Sequence, residues 1–109
     1  FSQIITNLVM NSLIHGFEGR ETGNIVVTVT EEENQLFLDY SDNGNGIEQE
    51  VITKIFDPFF TTKRGKGGSG LGLHIVFNQV TQILGGTIHC ESIPGEGTRF
   101  IITCPIKNL

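Results

Sequence analysis

Tryptophan is absent from this chain of 109 residues, methionine and tyrosine occur once each, and there are only two cysteines and three prolines. So little cysteine excludes a small domain built on disulfides, and Cys90 and Cys104 show no spacing that suits a metal. Both fall in strand-like runs and read as small apolar core residues in a reducing compartment. No apolar run is long enough to span a membrane, and no secretory-leader pattern is seen. Basic residues are scarce as well. Seven Lys and Arg against twelve Asp and Glu leave a formal net charge of −5, which argues against a general nucleic-acid binder. There is no Gly-x-x-x-x-Gly-Lys-[Ser/Thr] phosphate loop. A Gly-x-Gly-x-x-Gly does occur at Gly65, Gly67 and Gly70. It follows no strand of a βαβ unit, so a dinucleotide-binding reading fails its context. The length allows one domain, residues 1–109, around a single core.

Glycine, in contrast, is abundant at 14 residues, and the excess is grouped. Asp42-Asn43-Gly44-Asn45-Gly46 follows a strand-like run, and Gly68-Ser69-Gly70-Leu71-Gly72-Leu73 opens a helix-like one. Glycines set this closely let backbone approach a ligand and expose N–H groups to it. Between the two runs lie Phe56-Asp57-Pro58-Phe59-Phe60-Thr61-Thr62-Lys63 and a basic cluster of Lys63, Arg64 and Lys66. The cluster suits a solvated loop or a phosphate partner. Asp-Asn-Gly alone suits a hairpin turn, but that leaves Gly46 unexplained.

Periodicity organises the rest. Residues 2–16 carry Ile4, Ile5, Leu8, Val9 and Leu13 at helical spacing, which predicts a core face, with Asn7, Asn11 and His15 as the opposite stripe. Residues 25–30 and 36–41 read as strands joined by a polar turn over Glu31 to Gln35. Residues 48–55 suit a short helix with Val51, Ile52 and Ile55 inward. Residues 56–69 have no regular period and read as a mobile loop. Residues 70–84 predict an amphipathic helix with Leu71, Ile75, Val76, Val80, Ile83 and Leu84 inward, Ser69 as N-cap and Gly85-Gly86 as its end. Two strands, 87–92 and 98–104, close the chain around a turn at Pro94-Gly95-Glu96-Gly97. The expected class is α+β: a two-layer α/β sandwich, its sheet mixed but mostly antiparallel, with helices on one face. The chain starts inside a helix at Phe1 without an initiator methionine. It reads as a fragment of a longer protein whose first edge element is truncated.

Five boxes in order carry a family resemblance: Asn7 to Asn11, Asp42 to Gly46, Phe56 to Phe60, Gly68 to Leu73 and Gly95 to Thr98. Together they resemble the catalytic, ATP-binding domain of bacterial sensor histidine kinases, in the superfamily shared by gyrase, heat-shock-90 chaperones and mismatch-repair ATPases. The resemblance implies a Bergerat-type ATP-binding fold that takes ATP and Mg²⁺, with an ATP lid over about residues 47–69. It makes Asn11 the Mg²⁺ ligand, which suits an amide oxygen and a hard cation, and sets Asn7 near the phosphates. His15, a further turn along, stands where the family often carries an aromatic residue after Lys or Arg; here Ile14 precedes it. Asp42 would accept from the exocyclic amine of adenine and repel the carbonyl of guanine. Gly44, Gly46 and Ile47 would pass close to the base, and Thr98 would support it through its hydroxyl. Phe59, Thr61, Thr62 and Lys63 would belong to the lid. Lys63, with Arg64 and Lys66, would lie near the β- and γ-phosphates beside the amides of Gly68, Ser69, Gly70, Leu71, Gly72 and Leu73.

The expected chemistry follows from a substitution. Relatives that hydrolyse ATP place a glutamate at the first position of the Asn box, and Asn7 is an amide that cannot act as a base. Asn7, Asn11 and Lys63 are then the expected catalytic set for γ-phosphoryl transfer to a histidine elsewhere. His15, His74 and His89 precede Gly16, Ile75 and Cys90 rather than an acidic residue, so none is the expected acceptor; His74 and His89 read as structural. The implied partners are a dimerisation and phosphoacceptor domain of the same homodimeric parent and a response-regulator receiver domain. The implied setting is the cytoplasm, with or without a membrane anchor in the parent. The alternatives are a nucleotide-binding module without transfer, an anti-sigma-factor-type serine kinase, and a hydrolytic ATPase of the superfamily.

Overall fold

A computed structural model describes residues 2–58 and 72–108 of the chain. Its first helix, α1 (Ser2–Asn11), continues as a π-helical turn over Ser12–Gly16. Strands β1 (Ile25–Glu32) and β2 (Gln35–Asp42) form a hairpin whose turn residues Glu33 and Asn34 both have positive φ, at 50° and 65°. That pair of dihedrals twists a tight turn in the sense the strands need. Helix α2 (Gln49–Ile52) is short. Helix α3 (Gly72–Asn78) widens into a second π turn, Gln79–Ile83, and stops where Gly85 takes φ 66°. Strands β3 (Thr87–Ile93) and β4 (Gly97–Pro105) follow, and a 3₁₀ turn at Ile106–Asn108 closes the described chain. Among the described residues no helix is long and apolar enough to cross a membrane.

The sheet order is β1-β2-β4-β3, with every described pairing antiparallel. Strand alternation puts Leu38 and Tyr40 of β2, Phe100, Ile102 and Cys104 of β4, and Ile88 and Cys90 of β3 on the face that meets the helices. Helices α1 and α3 pack side by side on it, contributing Ile4, Leu8 and Val76, and the π turn after α3 adds Val80 and, just past its end, Leu84. Burying one such side chain stabilises the fold by about 1.5–3 kcal/mol. Both cysteines are free and buried, as expected of small apolar residues.

Two core expectations fail. Leu13 is 56% exposed and Ile83 is 70% exposed. From α1 into its π turn the buried row runs in steps of four, Ile4, Leu8, Ser12 and Gly16, and from α3 through the second π turn it runs Val76, Val80 and Leu84. A π turn holds more residues than an α turn. The step of four therefore stays on the core face, and Leu13 and Ile83 fall beside it. The position in the row beyond Leu8 is a polar one, Ser12, and its burial matters to the site. At the other edge, Val27 and Val29 pair with Tyr40 and Leu38 on the helix-bearing face yet remain 43% and 52% exposed.

Candidate functional site

The apolar face of the sheet ends in a polar row. Asp42, Thr98 and Ser92 are register partners across β2, β4 and β3, and all three are buried. Ser12 meets this row from the helix layer. Its Oγ donates to Asp42 Oδ2 at 2.7 Å and lies 2.7 Å from the Tyr40 hydroxyl. Since the one Ser12 proton goes to the carboxylate, Tyr40 donates to Ser12, sharing its proton with the Leu8 carbonyl at 3.1 Å. Burial, with the Asp42 charge adding to it, holds the Tyr40 phenol above its usual pKa, so the hydroxyl keeps its proton. The other oxygen, Asp42 Oδ1, accepts from the Gly44 N–H at 2.9 Å and the Thr98 N–H at 3.3 Å. Asp42 is thus held by donors from three directions.

The loop after β2 is fastened just as closely. Asn43 exchanges hydrogen bonds with the Asn24 backbone, Asn45 donates from its backbone to the Gly16 carbonyl and from its side chain to the Glu18 carbonyl, and Gly95 N–H donates to the Asn45 carbonyl. Gly44 and Gly46 make this possible. A Cβ on Gly44 would sit 2.3 Å from the Gly16 carbonyl oxygen, and one on Gly46, where φ is 77°, would sit 2.3 Å from the Ile93 carbonyl oxygen. Both glycines are required by close approach to protein backbone.

A cavity of about 320 Å³ opens above the polar row, lined by Asn11, His15, Asp42, Gly46, Ile47, Val51, Ile55, Leu73 and Thr98 among others. Of the residues expected in the site, this cavity gathers Asn11, His15, Asp42, Gly46, Ile47, Leu73 and Thr98. Gly44 braces the loop from behind. Asn7, half-buried, faces the start of α3, where a Cβ on Gly72 would lie 3.9 Å from its Oδ1. The Asn7 Nδ2 donor is buried without a partner among the described residues. Phe59, Thr61, Thr62, Lys63, Gly68, Ser69, Gly70 and Leu71, with Arg64 and Lys66, lie outside the described residues. None of the described lining residues is Lys or Arg, and the acidic ones include Glu18 and Glu48.

His74 ties two walls of the cavity together. Its Nδ1 lies 3.1 Å from the Phe56 carbonyl, which can only accept, so Nδ1 carries the proton. Its Nε2 then accepts from Asn78 Nδ2 at 3.2 Å. The neighbours of the bonded pair, Ile55 and Leu73, both line the cavity. The Phe56 ring adds contacts to Phe77 and Phe100 at centroid distances of 5.4 and 6.3 Å. Cys90, beside the polar row, has its thiol pushed up to about 12 by burial and then by the Asp42 and Glu91 charges. It is a packing group.

Sequence reasoning missed Ser12, Tyr40 and Ser92. Ser12 was legible as the next step of the Ile4–Leu8 row, and Ser92 as the partner of Thr98 in a hairpin around Pro94 to Gly97. Tyr40 needed the register of β2 against α1.

With this geometry in hand, residues 1–108 match the family described as histidine kinase-, DNA gyrase B- and HSP90-like ATPases. The alginate biosynthesis sensor protein KinB of Pseudomonas aeruginosa is 36% identical over 104 residues, which cover 95% of this chain and 17% of that protein. The sensor histidine kinase WalK of Bacillus subtilis is 34% identical over 110 residues, covering 97% of this chain and 18% of WalK. Among solved structures, the catalytic domain of histidine kinase ThkA in a nucleotide-free form superposes with a TM-score of 0.78 at 35% identity, covering 94% of this chain and 65% of that one. The chain thus spans less than a fifth of each of these two curated relatives.

Proposed function

The chain belongs to the histidine kinase-, DNA gyrase B- and HSP90-like ATPase family, and we propose that it binds Mg-ATP and directs the γ-phosphoryl group to a histidine on a separate dimerisation and phosphoacceptor domain. The observation that carries this reading is the buried Asp42 carboxylate in the lining of the cavity, held in place by Ser12, Gly44 and Thr98. A carboxylate held in this way accepts an exocyclic amine and repels a carbonyl, which selects adenine. Ile47, Val51, Ile55 and Leu73 give the base apolar walls. In this reading Asn7, Asn11 and His15 face the phosphates, and Lys63 with the glycine run 68–72 completes the charge that the described lining lacks.

The amides fit the absent groups. The unpartnered Asn7 Nδ2 is a donor that a phosphate oxygen would satisfy. Among the described residues no three His, Cys, Asp or Glu side chains gather as a metal cage. Mg²⁺ bound with ATP takes most of its ligands from phosphates and water, so a single amide oxygen, that of Asn11, suffices to hold it. When bound, the ion neutralises phosphate charge. The chain itself holds the base, excludes water from it, and orients the phosphates toward an acceptor it does not supply. Residues 1–109 act here as one catalytic domain of a homodimeric, cytoplasmically facing sensor kinase whose phosphohistidine passes to a receiver domain.

The test mixes the protein with γ-phosphate-labelled ATP and a supplied histidine phosphoacceptor domain. We expect acid-labile label on that domain, and Asn11→Ala to reduce the Mg²⁺-dependent transfer by about tenfold or more. Release of free phosphate without acceptor labelling would instead identify a hydrolytic ATPase. Undetectable ATP binding at millimolar concentration would leave only a partner-binding module.

A further inference from the structure

Ser92 ends the polar row on β3, buried and outside the set of residues assigned above to the nucleotide. Its hydroxyl has three close neighbours: the Ile47 N–H at 2.7 Å, the Gly97 carbonyl at 2.7 Å and the Thr98 hydroxyl at 2.9 Å. A hydroxyl carries one proton and two lone pairs. An N–H can only donate and a carbonyl can only accept, so the Ser92 proton goes to Gly97 and one lone pair receives Ile47. The second lone pair faces Thr98, which must therefore donate its own proton to Ser92. Thr98 Oγ1 is left with lone pairs alone, on a residue that lines the cavity beside Asp42.

We infer that Ser92 is a specificity-determining residue that acts through Thr98. It orients the Thr98 hydroxyl as an obligate acceptor, so Asp42 and Thr98, both in the cavity lining, present acceptors to the bound base. A six-amino purine supplies donors to these acceptors, directly or through a water. A six-oxo purine brings a carbonyl and leaves the Thr98 lone pairs facing another acceptor. Ser92 also fastens the loop that carries Ile47 to the β3–β4 turn, and its carbonyl accepts from Gln49 Nε2 at 2.8 Å, so the wiring is rigid. The inference rests on the reading of this cavity as the base site.

The test compares dissociation constants for ATP and ITP, which differ at the six position, in the full chain. The wild-type protein is expected to prefer ATP. In Ser92→Ala the Thr98 proton is released and can turn toward a six-oxo group, so the ATP-to-ITP preference should fall by about five- to tenfold. The ratio within one variant does not depend on the folded fraction, which matters because Ser92→Ala also strips partners from Ile47 and Gly97. Thr98→Val leaves those two bonds in place and should lower ATP affinity with little change for ITP. Ser92→Thr, which keeps the hydroxyl, should retain the preference. If Ser92→Ala and Thr98→Val weaken ATP and ITP equally, Ser92 is structural only and the inference is wrong. A wild-type protein that prefers neither nucleotide would overturn the base-site reading itself, and this inference with it.

Discussion

The three strands β2, β4 and β3 carry two polar clusters, one on each face, built from neighbouring residues. On the helix side Asp42, Thr98 and Ser92 are buried and hydrogen-bonded to Ser12, through it to Tyr40, and to three backbone amides. On the opposite side Arg99, next to Thr98, grips Asp39 through Nε at 3.0 Å to both oxygens and reaches Glu91, next to Ser92, at 3.4 Å, while His89 lies 3.5 Å from Glu91. Each cluster includes an aspartate of β2, Asp42 in the buried one and Asp39, held by Arg99, in the exposed one. In the exposed one water competes for every partner and salt screens the charges. In the buried one each group has a fixed donor or acceptor role, because an unpaired group there costs the full desolvation. Alternation along a strand decides which kind of cluster a residue joins, so a shift of one position separates a buried hydrogen-bonded group at the cavity from a surface ion pair.

The sharpest break of this comparison is Asp42→Asn. The amide keeps the shape but meets the Gly44 and Thr98 N–H groups or the Ser12 hydroxyl with the wrong polarity on one side, and it offers a donor to the amine of the base. Adenine-nucleotide affinity should fall by about 1–3 kcal/mol, roughly 5- to 150-fold, in a calorimetric titration. Unchanged affinity would put the base elsewhere. Next in size is Tyr40→Phe, which removes the outermost donor of the chain that ends on Asp42 and leaves the ring in the core. Chemical denaturation should show a loss of about 1 kcal/mol of stability with a smaller change in ATP affinity. A loss of affinity as large as that of Asp42→Asn would mean that Tyr40 does more than support Ser12.

Much of this contrast was legible in the sequence, and the unread part has a physical cause. Asp42 announced itself through the glycines that follow it, and the strands, the two long helices and the β3–β4 turn followed from period and turn chemistry. Leu13 and Ile83 were misplaced because hydrophobic identity was read in place of angular position, and π turns carried the step of four into Ser12 and Leu84. The burial of Ser12 and Ser92 is marked by the helix row and the hairpin register, but their long-range partners are not: Tyr40 and Asp42 lie 28 and 30 residues from Ser12, and Ile47 lies 45 from Ser92. A hydroxyl in a helix and one in a strand carry no local sign of such pairing. The role of the glycines was only partly visible. Close approach was expected at Gly44 and Gly46, and at both the occupant of the missing Cβ space is a carbonyl of the protein.

The smallest effect belongs to the exposed face. The Arg99 guanidinium, mainly through its hydrogen bonds and then through its charge, holds Asp39 below the usual carboxylate value of 3.8. A depressed folded-state pKa gives stability that is present above pH 3.8 and is lost as pH falls through the lower folded value. With the Arg99 and Asp39 side chains 48% and 34% exposed, solvent and salt screen most of it. Asp39→Asn should therefore unfold at only a slightly lower denaturant concentration than the parent at pH 7, and should bind ATP with unchanged affinity. That small deficit should close as the pH falls below 4, where the parent loses the same contribution, and 1 M salt should remove it. If Asp39→Asn instead weakened ATP binding as Asp42→Asn is expected to, the two faces would be coupled through the strands, and burial alone would not separate the proposed base-binding aspartate from the surface one.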